Sequence, residues 1–287
     1  MPVNARISFN EQLVERWHSR QSMLCVGLDP DPQRLPAAYL SNADSKGDAV
    51  LAFCCDIVDA TADSVCAFKP QFAYFAAAAA ESQLAELIRY IHQRHPDIPV
   101  ILDAKRGDIG ATAEQYAIEA FERFAADAVT VNPYLGEESV RPYLEYADRG
   151  TIVLCRTSNP DSDWLQNHPV DDPIYLKVAR SAVGWNRNNN VLLVAGATYI
   201  EELARIRETV GDMTLLVPGV GAQGGDLAAV LEQGSDANGY GLIINAARSI
   251  LYADAENAGA GAAGEAARIV DEMRRLQRKV APDRAMV

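Results

Sequence analysis

Positive charge is scarce in this sequence. Lysine and arginine number 26 against 39 aspartates and glutamates, a formal net charge of −13. Such an excess of acid excludes the basic footprint that grips nucleic acid. It leaves room for a small phosphorylated substrate, which needs only a few cations in one place. Histidine is scarcer still, at four. His18, His92, His95 and His168 offer no zinc-ligand spacing, so no metal site is expected. Cysteine is limited to Cys25, Cys54, Cys55, Cys66 and Cys155, an odd number with no C-x-x-C. Four of the five lie in apolar segments, which predicts buried free thiols in a reducing, cytoplasmic compartment. No apolar run approaches the roughly 18 residues of a membrane span. The opening MPVNARISFNEQLVERW contains acidic residues and no apolar stretch, so it does not read as a signal peptide.

What remains is ordinary globular material, 49% hydrophobic and 23% charged over 287 residues. A length near 250 suits one α/β barrel or two small domains. Short apolar, β-branched runs recur about every thirty residues, at 23–29, 64–70, 99–105, 128–134, 150–157, 190–197, 214–220 and 241–247. They are nearly continuous rather than alternating, as parallel strands covered on both faces require. Amphipathic segments fall between and after them, at 48–62, 76–94, 112–125, 136–147, 172–185, 199–209, 224–233 and 265–279. Eight right-handed βα units without a composition break predict one closed (β/α)8 barrel over 1–287, with a short N-terminal extension and a C-terminal tail. A doubly wound open sheet is the rival. Capping-box spacing at Thr112/Gln115 and Thr198/Glu201 marks two helix starts, and the Gly/Ala-rich 258–264 reads as a flexible connection.

Barrel enzymes work at the C-terminal ends of their strands. Ionisable residues concentrate there: Asp29 after the first run, Lys69 at the end of the second, Asp103 and Lys105 in the third with Asp108 just beyond, and Arg248 after the eighth. In D-A-K-R-G-D-I-G-A-T (103–112), strand alternation points Asp103 and Lys105 together into the mouth and Ala104 towards the helices. Gly107 lets the chain turn, so Asp108 can return to the mouth or project to a neighbour. A structural ion-pair network would read the same way, but charges facing a barrel interior are costly unless paired. The stretch P-G-V-G-A-Q-G-G (218–225) contains G-x-G-x-x-G, yet only one βα unit follows it, which rejects a dinucleotide site. Loops after the last two strands of a barrel instead cradle phosphate, and Arg248 supplies a bidentate cation. The residues thus describe a barrel enzyme for a small phosphorylated molecule.

D-A-K-R-G-D-I-G-A-T resembles the D-x-K-x-x-D signature of the orotidine 5′-phosphate decarboxylases, with its following Ile and Thr. Asp29, F-K-P (68–70), the 218–225 loop and R-S (248–249) fall in that family's order, and V-N-P-Y-L-G and R-T-S-N-P are similar to its longer bacterial subgroup. The resemblance implies a cofactor-free decarboxylation of orotidine 5′-phosphate for pyrimidine synthesis. It makes Lys105 the proton donor to C6, sets Asp103 beside the substrate carboxylate and Lys69 against ribose and Asp103. Asp29 would bind a ribose hydroxyl. Ser158 and Pro218 would meet the pyrimidine, and Gln223 and Arg248 the phosphate. Asp108 and Thr112 would reach the substrate of a second subunit, in a homodimer with shared sites; Thr112 could also be an N-cap. Ala247 stands where many relatives have glycine. Sister Mg²⁺-dependent sugar-phosphate decarboxylases and synthases share the three charged residues, but carry a metal-binding Glu where this chain has Lys69.

Overall fold

The structure, a computed structural model, describes residues 7–220 and 225–280. The eight expected strands form: β1 (Leu24–Leu28), β2 (Ala67–Pro70), β3 (Ile101–Arg106), β4 (Ala128–Val131), β5 (Gly150–Arg156), β6 (Val191–Ala195), β7 (Leu215–Pro218) and β8 (Leu242–Ala246). Every neighbouring pair is parallel, in the order β2-β1-β8-β7-β6-β5-β4-β3. Isolated parallel bridges Phe68↔Val100 and Gln71↔Asp103 join β2 to β3 and bring the circle round. Side chains such as Val26, Phe68, Leu102, Val129 and Ile244 are fully buried, so each run is apolar because both of its faces are covered.

The helices are α1 (Phe9–Arg20), α2 (Ala37–Ser41), α3 (Lys46–Thr61), α4 (Phe72–Ala77), α5 (Glu81–Arg94), α6 (Gly110–Ile118), α7 (Glu137–Leu144), α8 (Asp163–Gln166), α9 (Ile174–Trp185), α10 (Ile200–Val210), α11 (Leu227–Gly234), α12 (Arg248–Leu251) and α13 (Ala258–Val280). They differ from the sequence expectations in three respects. The N-terminal extension contains α1, started by a reciprocal Ser8/Glu11 capping box. Its Phe9, Leu13 and Trp17, spaced by one turn, are buried. Phe9 lies against Gly150 at the start of β5, where an added Cβ would sit 2.5 Å from its ring. Arg16 donates to the carbonyls of Ala62 and Val65 and pairs with Asp97 at 2.6 Å. The helix is therefore a plug at the N-terminal end of the barrel.

The second correction concerns 258–264, which is not a flexible connection but the first two turns of α13. Alanine is the best helix former. Asn257 accepts the amide of Ala260, and Ala258, Ala262 and Ala266 form a buried stripe at four-residue spacing. The third concerns the two capping boxes. Thr112 lies inside α6, whose N-cap is Ile109, and Thr198 donates to the carbonyl of Ser158. Those two spacings matched a local pattern that tertiary contacts overrode. Among the described residues no helix is long and apolar enough to cross a membrane. All five cysteines are free and all but Cys55 are buried.

Candidate active site

Asp103 sits at the centre of the mouth. Its Oδ2 accepts from Lys69 Nζ at 2.8 Å and from Gln71 Nε2 at 3.1 Å; its Oδ1 accepts from Lys105 Nζ at 2.6 Å and from the Thr130 hydroxyl at 2.9 Å. Four donors satisfy both oxygens of a buried carboxylate, which is what such a group needs in order to stay ionised. Burial alone would raise the Asp103 pKa, but the ammonium groups of Lys69 and Lys105 outweigh it and hold the carboxyl well below the usual range. Burial likewise opposes the charge on Lys69, yet Asp103, with Asp29 beyond it, pushes its pKa above the ordinary lysine value. The two lysines differ in exposure. The Lys69 side chain is 5% exposed and that of Lys105 is 48% exposed.

Lys105 reaches Asp103 by a route that strand alternation does not describe. Leu102 pairs with Val129 and Arg106 with Val131, so four steps along β3 match two along β4. Within this bulge Lys105 has φ +47°, a left-handed conformation that costs a side-chain-bearing residue about 1–2 kcal/mol. The consecutive amides of Ala104 and Lys105 both donate to Thr130 Oγ1, at 3.1 and 3.0 Å. In a regular strand they would point to opposite neighbours.

Asp108 does not join this cluster within one chain. It is half-buried, and its Oδ1 accepts the amide of Ile109. Thr112 is exposed on α6. Ile109 and Ile118, at the two ends of α6, and Tyr134 and Leu135, after β4, are large apolar residues left exposed.

On the opposite side of the mouth, a cavity of about 240 Å³ lies between Asp29, Tyr74, Pro218, Asn245 and Arg248. Burial raises the pKa of Asp29, and Lys69 offsets part of that rise. Asp29 Oδ1 and Asn245 Oδ1 are both buried without a partner among the described residues. Two such oxygens at one cavity invite the hydroxyl groups of a ligand. Arg248 is exposed and pairs with no carboxylate among the described residues. Gln223 lies outside them.

Ser158 is half-buried after β5. Its backbone passes so close to Gly196 that a Cβ there would lie 2.8 Å from Ser158 Cα. The segment beyond it is anchored by Arg156, which is buried over the Tyr199 ring at 3.6 Å and binds Ser162 and Asp163. Sequence reasoning missed Gln71, Thr130, Asn245 and Arg156. The first three are uncharged and titrate nothing; for Gln71, only its place two residues after Lys69 could have drawn attention.

The Orotidine 5′-phosphate decarboxylase / HUMPS family model matches residues 22–263. An orotidine 5′-phosphate decarboxylase of Dechloromonas aromatica is 58% identical over 263 residues, covering 91% of this chain and 96% of that protein. One from Cupriavidus necator is 58% identical, covering 90% and 94%. Among solved structures, Leishmania donovani OMP decarboxylase superposes with a TM-score of 0.81 at 37% identity, covering 94% of this chain and 99% of that one. A putative orotidine-monophosphate decarboxylase from Toxoplasma gondii gives 0.86 at 35% identity, covering 97% and 99%. With its Lys-Asp-Lys cluster and open cavity at the strand ends, the chain belongs to the orotidine 5′-phosphate decarboxylase / HUMPS family.

Proposed function

We propose that the chain converts orotidine 5′-phosphate to uridine 5′-monophosphate and CO2, as a carboxy-lyase of pyrimidine synthesis, in one barrel domain spanning 1–287. The observation that carries this reading is Asp103 held ionised between Lys69 and Lys105 at the mouth. The bond from C6 to the carboxylate breaks, CO2 leaves, and the electron pair stays on C6. No neighbouring carbonyl delocalises that pair, so the site must stabilise localised charge. An ammonium about 4 Å away supplies roughly 4 kcal/mol at an effective dielectric of about 20. Lys105 provides that charge and then transfers a proton to C6. The rest must come from preorganisation and from binding energy at the distant phosphate.

Asp103 keeps Lys105 protonated and in place, and presents a fixed negative charge to the substrate carboxylate. Asp29 accepts a ribose hydroxyl. Pro218 and Ser158 border the base, and Arg248 with Gln223 holds the phosphate. The Mg²⁺-dependent sister reactions fit less well, because the Lys69 ammonium at the end of β2 would repel a metal ion. A homodimer is supported by the exposure of Ile109, Ile118, Tyr134 and Leu135 on the elements that follow β3 and β4, with Asp108 and Thr112 serving the neighbouring subunit's site. The free cysteines support a cytoplasmic location.

The test is the absorbance change on loss of orotidine 5′-phosphate, with and without EDTA. Turnover insensitive to EDTA is expected; no turnover overturns the reading, and abolition by EDTA favours the sister chemistry. Lys105→Ala should remove turnover while a phosphate ligand such as uridine 5′-monophosphate still binds.

A further inference from the structure

We infer that Thr130 is a positioning residue for the decarboxylation, acting on both members of the Asp103–Lys105 pair through one hydroxyl. This rests on the decarboxylase reading above. Thr130 is 1% exposed, in the middle of β4. Its oxygen accepts two hydrogen bonds, from the amides of Ala104 and Lys105. Both lone pairs of the hydroxyl are then occupied, so its single proton has one acceptor left, Asp103 Oδ1 at 2.9 Å. The orientation of the hydroxyl is fixed by counting rather than by assumption.

Two consequences follow for the reacting groups. The backbone of Lys105 is held at φ +47° by a bond to its own amide and another to that of Ala104. Without that oxygen, two half-buried amides of the bulge lose their partner and the strand has reason to relax towards regular pairing with β4. The base of the Lys105 side chain would then move, and its ammonium with it. At the other end, the hydroxyl proton and Lys105 Nζ share Oδ1, while Lys69 and Gln71 share Oδ2. Thr130 is thus one of the four donors that keep the carboxylate from turning about its own axis. A misplacement of about an ångström at a reacting group costs on the order of a hundredfold in rate, and a hydrogen bond to a charged group is worth roughly ten- to a hundredfold.

Thr130 is buried and its hydroxyl is fully engaged by Asp103 and the two amides, so its loss should appear in kcat rather than in ligand affinity. The Thr130→Val enzyme keeps the shape and removes the hydroxyl. Its kcat is expected to fall by about ten- to a hundredfold, with the Kd for uridine 5′-monophosphate, measured by calorimetry, within twofold of wild type. Thr130→Ser restores the oxygen and is expected to recover kcat to within about threefold. If the valine variant does not fold, Thr130→Ala makes the same comparison against the serine variant. A hydroxyl-free variant with kcat within twofold of wild type overturns the proposal. So does a serine variant as slow as the alanine or valine one, because the methyl and not the oxygen would then be what matters. A parallel loss of kcat and nucleotide affinity also overturns it, since that marks a collapsed mouth. Wild-type enzyme that leaves orotidine 5′-phosphate untouched overturns the decarboxylase reading itself, whereas the other outcomes bear on Thr130 alone.

Discussion

Replacing Asp103 by Asn would test how the buried cluster is held together. The carboxylate lies 2.8 Å from Lys69 Nζ and 2.6 Å from Lys105 Nζ. At an effective dielectric of 20, a unit pair about 2.8 Å apart interacts by roughly 6 kcal/mol. Desolvation of the two ions consumes much of this, so the net worth of the pair is smaller. Removing only the carboxylate leaves the Lys69 ammonium buried beside a neutral amide, with Asp29 as its remaining anion. Breaking a buried pair in this way costs about 3–5 kcal/mol, which for a chain of this size lowers the melting temperature by roughly 10 °C.

The pH dependence is the sharper signature. In the wild type the folded pKa of Lys69 lies above the unfolded value of about 10.4. Its stabilising contribution is therefore complete below that value and is lost only as pH rises through the folded pKa. In Asp103→Asn burial prevails, the folded pKa drops below about 10.4, and the fold prefers the neutral amine. Relative to wild type, the variant should gain stability as pH rises from about 7 towards 10. Thermal melts across that range, on wild type, Asp103→Asn and Asp103→Asn/Lys69→Met, check this. The double variant has no buried amine left and should melt above the single one at neutral pH. A double variant that melts below it, or a single variant whose melting tracks wild type at every pH, would refute the reasoning.

Asp29→Asn should leave stability unchanged or raise it by up to about 1 kcal/mol, because a buried carboxylate oxygen without a partner is a burden on the fold. The sign follows from its raised pKa: the folded state prefers the protonated acid, so the charge costs stability above that pKa. The same variant should bind uridine 5′-monophosphate more weakly; higher affinity together with lower melting temperature would contradict the placement of Asp29. Phe9→Ala should cost about 3–5 kcal/mol in chemical denaturation through the cavity left against Gly150. Its kcat, assayed well below the melting temperature, should stay within twofold of wild type, because the plug lies at the end of the barrel away from the mouth.

The barrel was legible because its strands are covered on both faces. A run such as Val-Leu-Leu-Val-Ala at 191–195 has no solvent side to interrupt it, and the eight runs stand within about three residues of the strands observed. The helix α1 escaped notice because it precedes the first βα unit, and its buried Phe9, Leu13 and Trp17 are separated by charged and polar residues and an exposed Val14. The 258–264 segment misled because glycine suggests slack, whereas here the alanines at every fourth position bind the helix to the core and decide the conformation. In the site, Asp103, Lys69 and Lys105 stood out because charge inside a barrel demands a reason. Gln71 and Thr130 did not, because an amide or hydroxyl at a strand end has many bland uses. Alternation put Lys105 on the correct face although the strand bulges; the bulge depends on Thr130 in the next strand, a pairing that local sequence does not encode.

The unequal exposure of the two lysines separates a permanent charge from a renewable one. Lys69 is shut away against Asp103, so in the proposed reaction its charge would stay through the catalytic cycle. In the proposed reaction Lys105 would give its proton to carbon once per turnover, and its half-open side chain would let water replace it without a relay of side chains. On that reading the hydrogen at C6 of the product would originate in the solvent. Reaction in D2O should leave a single deuterium at that carbon, delivered by the one ammonium of the pair that the barrel leaves in contact with water.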